Sequence, residues 1–261
     1  MSFVILVDAG NTSVKLGLSA DGRIARRGRL PTASCKPAAI RKSLERLVGR
    51  RSTTAAVFCS VVPRVNAPWL RELRRLVGKN VITVSHRVNL GLKLRYPRPG
   101  TIGADRLADA CGAAWHHGVP AIVVDVGTAT TLDVVSGDRE FLGGVIAPGP
   151  AIIGECLAEK TALLPRIRAG GTCGGIGKST AGAMRIGVVV GYRGLVRELT
   201  GHLLKTTGKH GVRLCATGGY ARKVLRGLGM PFVIDPDLTL RGLWRIYELN
   251  CGSEKTDRRK Q

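Results

Sequence analysis

Twice in this chain a short, wholly apolar run breaks off on an aspartate and enters a glycine turn carrying threonine. The first copy is Phe3-Val4-Ile5-Leu6-Val7 followed by Asp8-Ala9-Gly10-Asn11-Thr12, and the second is Ala121-Ile122-Val123-Val124 followed by Asp125-Val126-Gly127-Thr128-Ala129. Apolar runs this short, without polar alternation and bounded by turn residues, read as strands buried on both faces. The segment after each copy also repeats. Ser13 to Leu18, an Asp21-Gly22 turn and Arg23 to Leu30 read as a hairpin after the first. Thr130 to Val135, a Ser136-Gly137-Asp138 turn and Phe141 to Ile146 read as one after the second.

A helix from about Pro37, a strand over Ala55 to Val62 and a helix with Asn66 as N-cap and Pro68 in its first turn complete the first half. In the helix after Pro37 the apolar residues Ile40, Leu44, Leu47 and Val48 share one face, and in the next helix Trp69, Leu73, Leu76 and Val77 do. A short strand over Val81 to Val84, a loop from Tyr96 to Gly103 and a helix over Ala104 to His116 lead into the second half. There helices are expected around Ala151 to Leu157, Thr180 to Leu199 and Tyr220 to Leu228, with a Val212 to Ala216 strand before the last. The duplication predicts two α/β domains, 1–117 and 118–250, each a mixed sheet with flanking helices, a ligand cleft between them and a polar tail over 251–261. Gly143, Gly144 and Gly149 read as requirements of a tight bend.

Composition narrows the classes. No apolar run approaches the roughly 20 residues that span a bilayer, and no export signal is visible, so a soluble cytoplasmic protein is expected. The seven cysteines, Cys35, Cys59, Cys111, Cys156, Cys173, Cys215 and Cys251, form no C-x-x-C pair and read as reduced, small core hydrophobes. A net charge of +23 would ordinarily raise nucleic acid as a partner. However, the arginines and lysines sit opposite the apolar faces of helices, and no aromatic residues interleave with them as a stacking platform requires. Specific nucleic-acid binding is not expected, and the field suits attraction of small anions.

A strand ending in Asp-x-Gly-x-Thr supplies what a phosphate chain needs. Glycine permits close backbone approach, amide and hydroxyl groups donate, and the carboxylate holds a cation. Asp8 therefore reads as a ligand associated with Mg²⁺, Asn11 and Thr12 as donors, and Lys15 as a counter-charge. A third turn, Thr217-Gly218-Gly219-Tyr220-Ala221, comes after a strand where it could pack on an adenine ring. Asp133 reads either as part of a metal site or as a solvated strand aspartate.

These three turns resemble the phosphate-1, phosphate-2 and adenosine motifs of the acetate and sugar kinase, Hsp70 and actin superfamily. With Ser60-Val61-Val62-Pro63, Tyr96 to Arg106, Gly143 to Gly149, Thr161 to Pro165, Gly177-Lys178-Ser179-Thr180 and Gly242-Leu243, the chain more narrowly resembles type III pantothenate kinases. The resemblance implies two duplicated actin-like (RNase H-like) domains and ATP-dependent phosphorylation of pantothenate to 4′-phosphopantothenate, the first step of coenzyme A biosynthesis. It implies Asp105 as proton acceptor and ATP binding by Asp8, Ala9, Gly10, Asn11, Thr12, Ser13, Val14, Lys15 and Thr128. It further implies a pantothenate pocket of Tyr96, Gly103, Ala104, Asp105, Arg106 and Thr180, with Arg106 forked onto the substrate carboxylate. Asp125 corresponds to a ligand for a monovalent cation, K⁺ or NH₄⁺, needed in addition to Mg²⁺. A homodimer is implied, with Thr180 to Leu199 the candidate contact helix. The competing readings are a non-catalytic transcriptional accessory protein on the same fold and a sugar- or acetate-type kinase.

Overall fold

A computed structural model describes residues 2–167, 175–208 and 211–251. Its elements in chain order begin β1 (Phe3–Ala9), β2 (Ser13–Ala20), β3 (Arg23–Pro31), α1 (Pro37–Val48), β4 (Thr53–Ser60), α2 (Pro63–Val77), β5 (Val81–Thr83), β6 (Lys93–Leu94) and α3 (Ala104–His116). They continue β7 (Ala121–Val126), β8 (Ala129–Val135), β9 (Glu140–Pro148), α4 (Pro150–Lys160), α5 (Thr180–Ile186), α6 (Tyr192–Thr207), β10 (Arg213–Thr217), α7 (Ala221–Leu225), β11 (Val233–Ile234) and α8 (Leu238–Cys251). Contacts gather the chain into two units. One comprises Met1–Gly118, Asp138–Leu142 and Asp237–Gln261; the other comprises Val119–Gly137 and Gly143–Pro236.

The first unit is built on a five-stranded sheet in the order β3-β2-β1-β4-β5. β1 and β2 pair antiparallel, as do β2 and β3, whereas β4 runs parallel to β1 and β5 parallel to β4. β1 holds the centre because Ile5, Leu6 and Val7 are fully buried, each contributing on the order of 2 kcal/mol of transfer free energy. α1 and α2 cover one face with Ile40, Leu44, Leu47, Val65, Trp69 and Leu73. α1 buries the four residues its spacing predicts.

α2 departs from expectation at both ends. It begins at Pro63, which suits a first helical position because its absent N–H would have no partner there, and Pro68 lies inside the helix. Leu76 is 42% exposed, and Glu72 is buried in its stead. The reason is a charge arrangement across two helices. Arg41 Nε of α1 donates to Glu72 Oε2 at 3.1 Å and Arg75 Nη1 to the same oxygen at 3.1 Å, holding the carboxyl below its usual pKa range.

α3 is buried along almost its whole length, and α8 packs along it. Their backbones touch. A Cβ on Gly242 would lie 1.8 Å from the Ala108 carbonyl oxygen, and one on Gly112 would lie 2.6 Å from that of Leu238. α8, which carries the Gly242-Leu243 motif but was not expected as a helix, also lies against β1 and β4.

The second unit repeats the plan. Its strands run β9-β8-β7-β10-β11, with β7 antiparallel to β8 and parallel to β10, β11 parallel to β10, and β6 added to the sheet as a sixth strand beside the start of β9. Apart from β6, this is the order of the first unit. The core gathers Ile122, Val124, Leu132, Tyr192, Val196, Leu214 and Val224. α5, a π-helical turn over Gly187–Gly191 and α6 succeed one another without interruption, extending the expected helix to Thr207, while α7 is shorter than expected. Gly143 and Gly144 lie within β9 rather than in a bend, and Gly149 is the N-cap of α4.

Cys59, Cys111 and Cys215 are buried, as small apolar residues would be, and burial raises the thiol pKa of Cys111 to about 12 and of Cys215 to about 11. Cys156 and Cys251 are exposed instead, and Cys173 lies outside the described residues. So does the expected polar tail beyond Cys251, the last residue of α8. Among the described residues no helix is long and apolar enough to cross a membrane.

The α3–α8 contact yields a test. Gly242→Ala drives a methyl group into the Ala108 carbonyl and should destabilise the protein by about 1–3 kcal/mol, read as a lowered chemical-denaturation midpoint. An unchanged midpoint would mean that the helices separate freely.

Candidate active site

In the first unit the site begins where β1 stops. Asp8 and Lys15 are cross-strand partners in the β1–β2 ladder, with Lys15 Nζ 3.6 Å from Asp8 Oδ2. The Asp8-to-Lys15 turn is closed by Gly10 N–H donating to the Ser13 carbonyl at 3.2 Å and by Thr32 Oγ1 donating to the Gly10 carbonyl at 2.6 Å. Ala9 and Val14 are buried beneath it, whereas Asn11 and Thr12 are exposed. The two side chains assigned to phosphate donation thus stand in solvent on a braced backbone.

Asp105 lies in the first turn of α3, where the unpaired amides of a helix N-terminus favour negative charge. Its Oδ1 accepts from the Arg106 backbone N–H at 2.8 Å. Burial nonetheless raises its pKa, opposed by that N–H and by the Arg106 guanidinium. Asp8 is raised as well, first by burial and further by the negative charge of Asp105, with Lys15 pulling the other way. The two carboxylates therefore sense each other. Cys59, the parallel partner of Asp8 on β4, is pushed up strongly by burial among Asp8, Asp105 and Asp109.

Tyr96 and Arg106 meet through a residue that sequence reasoning did not assign to the site. The Phe141 ring lies 6.3 Å from the Tyr96 ring, tilted by 59°, and the Arg106 guanidinium carbon sits 5.6 Å from the centre of the same ring. Phe141 reaches the first unit because the start of β9 pairs with β6, Leu94 opposite Phe141. Being the sole aromatic in its strand is the only trace it leaves in the sequence.

In the second unit Asp125 is the last residue but one of β7, beside Thr217, its partner on β10. The turn after it is tied to the third glycine motif by Tyr220 N–H donating to the Val126 carbonyl at 3.1 Å. Gly218 makes the approach possible. Its φ of +99° suits glycine, and a Cβ there would lie 2.3 Å from Asp125 Oδ1 and 2.5 Å from the Val126 carbonyl oxygen. Tyr192 of α6 hydrogen-bonds Thr130 of β8, and burial raises its pKa to about 12. Thr128 is exposed, with its carbonyl accepting from Gly149 N–H at 2.9 Å. Asp133 is buried at 1% exposure, so it is not a solvated strand aspartate. Thr180 is the exposed first residue of α5, behind Ser179, whose hydroxyl accepts from Gly182 N–H at 3.1 Å.

The donor chemistry at Asp8 suits a divalent metal. Mg²⁺ typically takes one or two carboxylates together with substrate phosphates and water, and Asp8 supplies one such carboxylate at a strand end. Asp125 and the Val126 carbonyl offer hard oxygens in a cradle that a side chain at position 218 would fill.

Two mixed sheets that share a five-strand order, with a glycine turn after each central strand, define an actin-like fold, and comparison with known proteins agrees. MreB 5 of Spiroplasma citri superposes with a TM-score of 0.50 at 12% identity, over 100% of this chain and 99% of that one. A conserved Campylobacter jejuni protein described as a Baf family transcriptional activator does so with a TM-score of 0.60 at 19% identity, over 95% and 99%. Sequence resolves the family within the fold. The type III pantothenate kinase family matches residues 4–202. A type III pantothenate kinase of Akkermansia muciniphila is 42% identical over 94% of this chain and 98% of its own length. The chain belongs to the type III pantothenate kinase family, a family of transferases that bind ATP with a divalent metal and act in coenzyme A biosynthesis.

The buried carboxylates predict a pH signature in the ligand-free protein. An aspartate with a raised folded-state pKa supports the fold fully below its unfolded pKa, and loses that contribution as pH rises through the folded value. Asp8→Asn removes that charge, so its unfolding midpoint should exceed the wild type's at neutral pH. The gap should close as pH falls toward the ordinary aspartate value of 3.8. A gap independent of pH would show that Asp8 is not strained by burial.

Proposed function

We propose that this chain phosphorylates pantothenate with ATP, Asp105 taking the proton of the primary hydroxyl. Family membership supports the reaction. The placement of Asp105 supports its role, because a carboxylate held in a helix first turn by its neighbour's N–H, with its pKa raised by burial, is oriented and basic enough to accept a proton late in transfer.

In this reading the Asp8-to-Lys15 turn binds the phosphates, Asn11 and Thr12 donating and Lys15 neutralising charge, and Thr128 contacts the nucleotide. Asp8 holds Mg²⁺ with the phosphates, and Asp125 holds K⁺ or NH₄⁺; bound there, the ions neutralise charge on the transferring phosphoryl group. Arg106 recognises the carboxylate of pantothenate, and Tyr96, Gly103, Ala104 and Thr180 line its pocket. The accessory-protein and sugar-kinase readings are not favoured, because the family match and the similar relatives are pantothenate kinases.

Release of ADP from purified protein supplied with ATP, pantothenate, Mg²⁺ and K⁺ tests the reaction, and no turnover by folded protein would refute it. Asp105→Asn should lower turnover by about 10²–10⁴-fold while ATP binding persists. Asp125→Asn should raise the K⁺ concentration needed for half-activation. Near-normal turnover of Asp105→Asn would take the base role away from this residue.

A homodimer is also part of the reading, supported by Ile176 and Val190, large apolar side chains left exposed just before and within the Thr180-to-Leu199 segment. Light scattering should give twice the chain mass, and Val190→Glu should halve it. A wild-type monomer would remove the dimer from the reading. Dependence on ATP and on a coenzyme precursor fits a cytoplasmic protein, which cell fractionation checks.

A further inference from the structure

We infer that Phe141 is a positioning residue for pantothenate, setting the Arg106 guanidinium and the Tyr96 ring in one arrangement. This role rests on the assignment of Tyr96 and Arg106 to the pantothenate pocket and adds a residue from a distant part of the chain.

Three observations carry it. The Phe141 side chain is 0% exposed, so its ring has no room to move elsewhere. That ring meets Arg106 at 5.6 Å and Tyr96 at 6.3 Å, distances at which a guanidinium and a second aromatic ring are both attracted to it. Its backbone is pinned as well, because the Phe141 carbonyl accepts from Arg95 N–H at 3.0 Å, while Arg95 Nε donates to Glu140 at 2.9 Å. Ring and backbone thus grip the segment leading into Tyr96 on one side and the first turn of α3 on the other.

The physical effect is on orientation. Arg106 is only 7% exposed, and a long guanidinium side chain loses much rotamer freedom on ordering. With an aromatic ring already against it, that loss is met during folding rather than during substrate binding, which is how preorganisation strengthens a contact. Arg106 also donates its backbone N–H to Asp105, but Phe141 acts on its side chain. The consequence should fall on capture of the substrate carboxylate more than on the chemical step.

The test is steady-state kinetics of Phe141→Leu and Phe141→Met, both of which remove the ring, methionine retaining more of its volume. Each should raise the pantothenate KM about tenfold, leaving the ATP KM unchanged and kcat within about twofold of the wild type. In an Arg106→Ala background, which itself raises the pantothenate KM, Phe141→Met should add little, because the interaction it serves is gone. Wild-type pantothenate KM in Phe141→Met, or full additivity with Arg106→Ala, would overturn the inference and leave the pocket assignment standing. If Arg106→Ala and Tyr96→Ala both keep the wild-type pantothenate KM, the pocket assignment fails and the inference falls with it. Should Phe141→Leu not fold, the methionine variant decides alone.

Discussion

A central strand buried on both faces has to stop somewhere, and in this protein it stops on a carboxylate. Ile5, Leu6 and Val7 demand an interior position, and Asp8 immediately after them is drawn into the same low-dielectric surroundings. A carboxylate there is costly unless a cation or a proton accompanies it. Lys15, one strand away in register, meets part of that cost. The apolar strand that stabilises the sheet therefore also creates an electrostatic demand for positive charge beside Asp8. Asp105 adds to it by bringing a second buried negative charge close enough to be felt.

The same plan was used twice, and the two uses diverged in their side chains. Strand order and the sense of the β1–β2, β1–β4, β7–β8 and β7–β10 pairings agree between the units, so backbone architecture was the inherited part. Where the first unit places a lysine opposite its aspartate, the second places Thr131 opposite Asp125 and packs the bare backbone of Gly218 against it. One topology thereby surrounds its two aspartates differently, with an ammonium group beside Asp8 and bare backbone beside Asp125, without any change in the strands.

Much of this was legible because repetition is a strong signal. The paired strand-aspartate-glycine pattern pointed to two repeated strand-hairpin openings, β1 to β3 and β7 to β9, and the start of α3 follows directly from the Tyr96-to-Gly103 loop before it. Glu72 and Leu76 exchanged their expected places because periodicity ranks residues by polarity alone. It carries no information about Arg41 waiting on a neighbouring helix. Gly144 misled for a similar reason. A glycine is needed there because β8 comes close, a Cβ lying 1.9 Å from the Leu132 carbonyl oxygen, and local sequence does not distinguish close approach from a turn. Phe141 was invisible as a site residue, since its importance comes from pairing with β6, some forty-five residues earlier in the chain.

The position of α8 has a consequence for how the molecule is made. Its fourteen residues close the unit to which the first residues of the chain belong, seating Gly242 against Ala108 and lying along β1 and β4. During synthesis the opening sheet therefore emerges from the ribosome long before the helix that covers it. For that interval β1 and α3 carry uncovered apolar surface while the whole of the second unit is translated, and exposed apolar surface of this kind makes a folding chain prone to aggregate. The order of translation leaves the unit that holds Asp105 to be finished last.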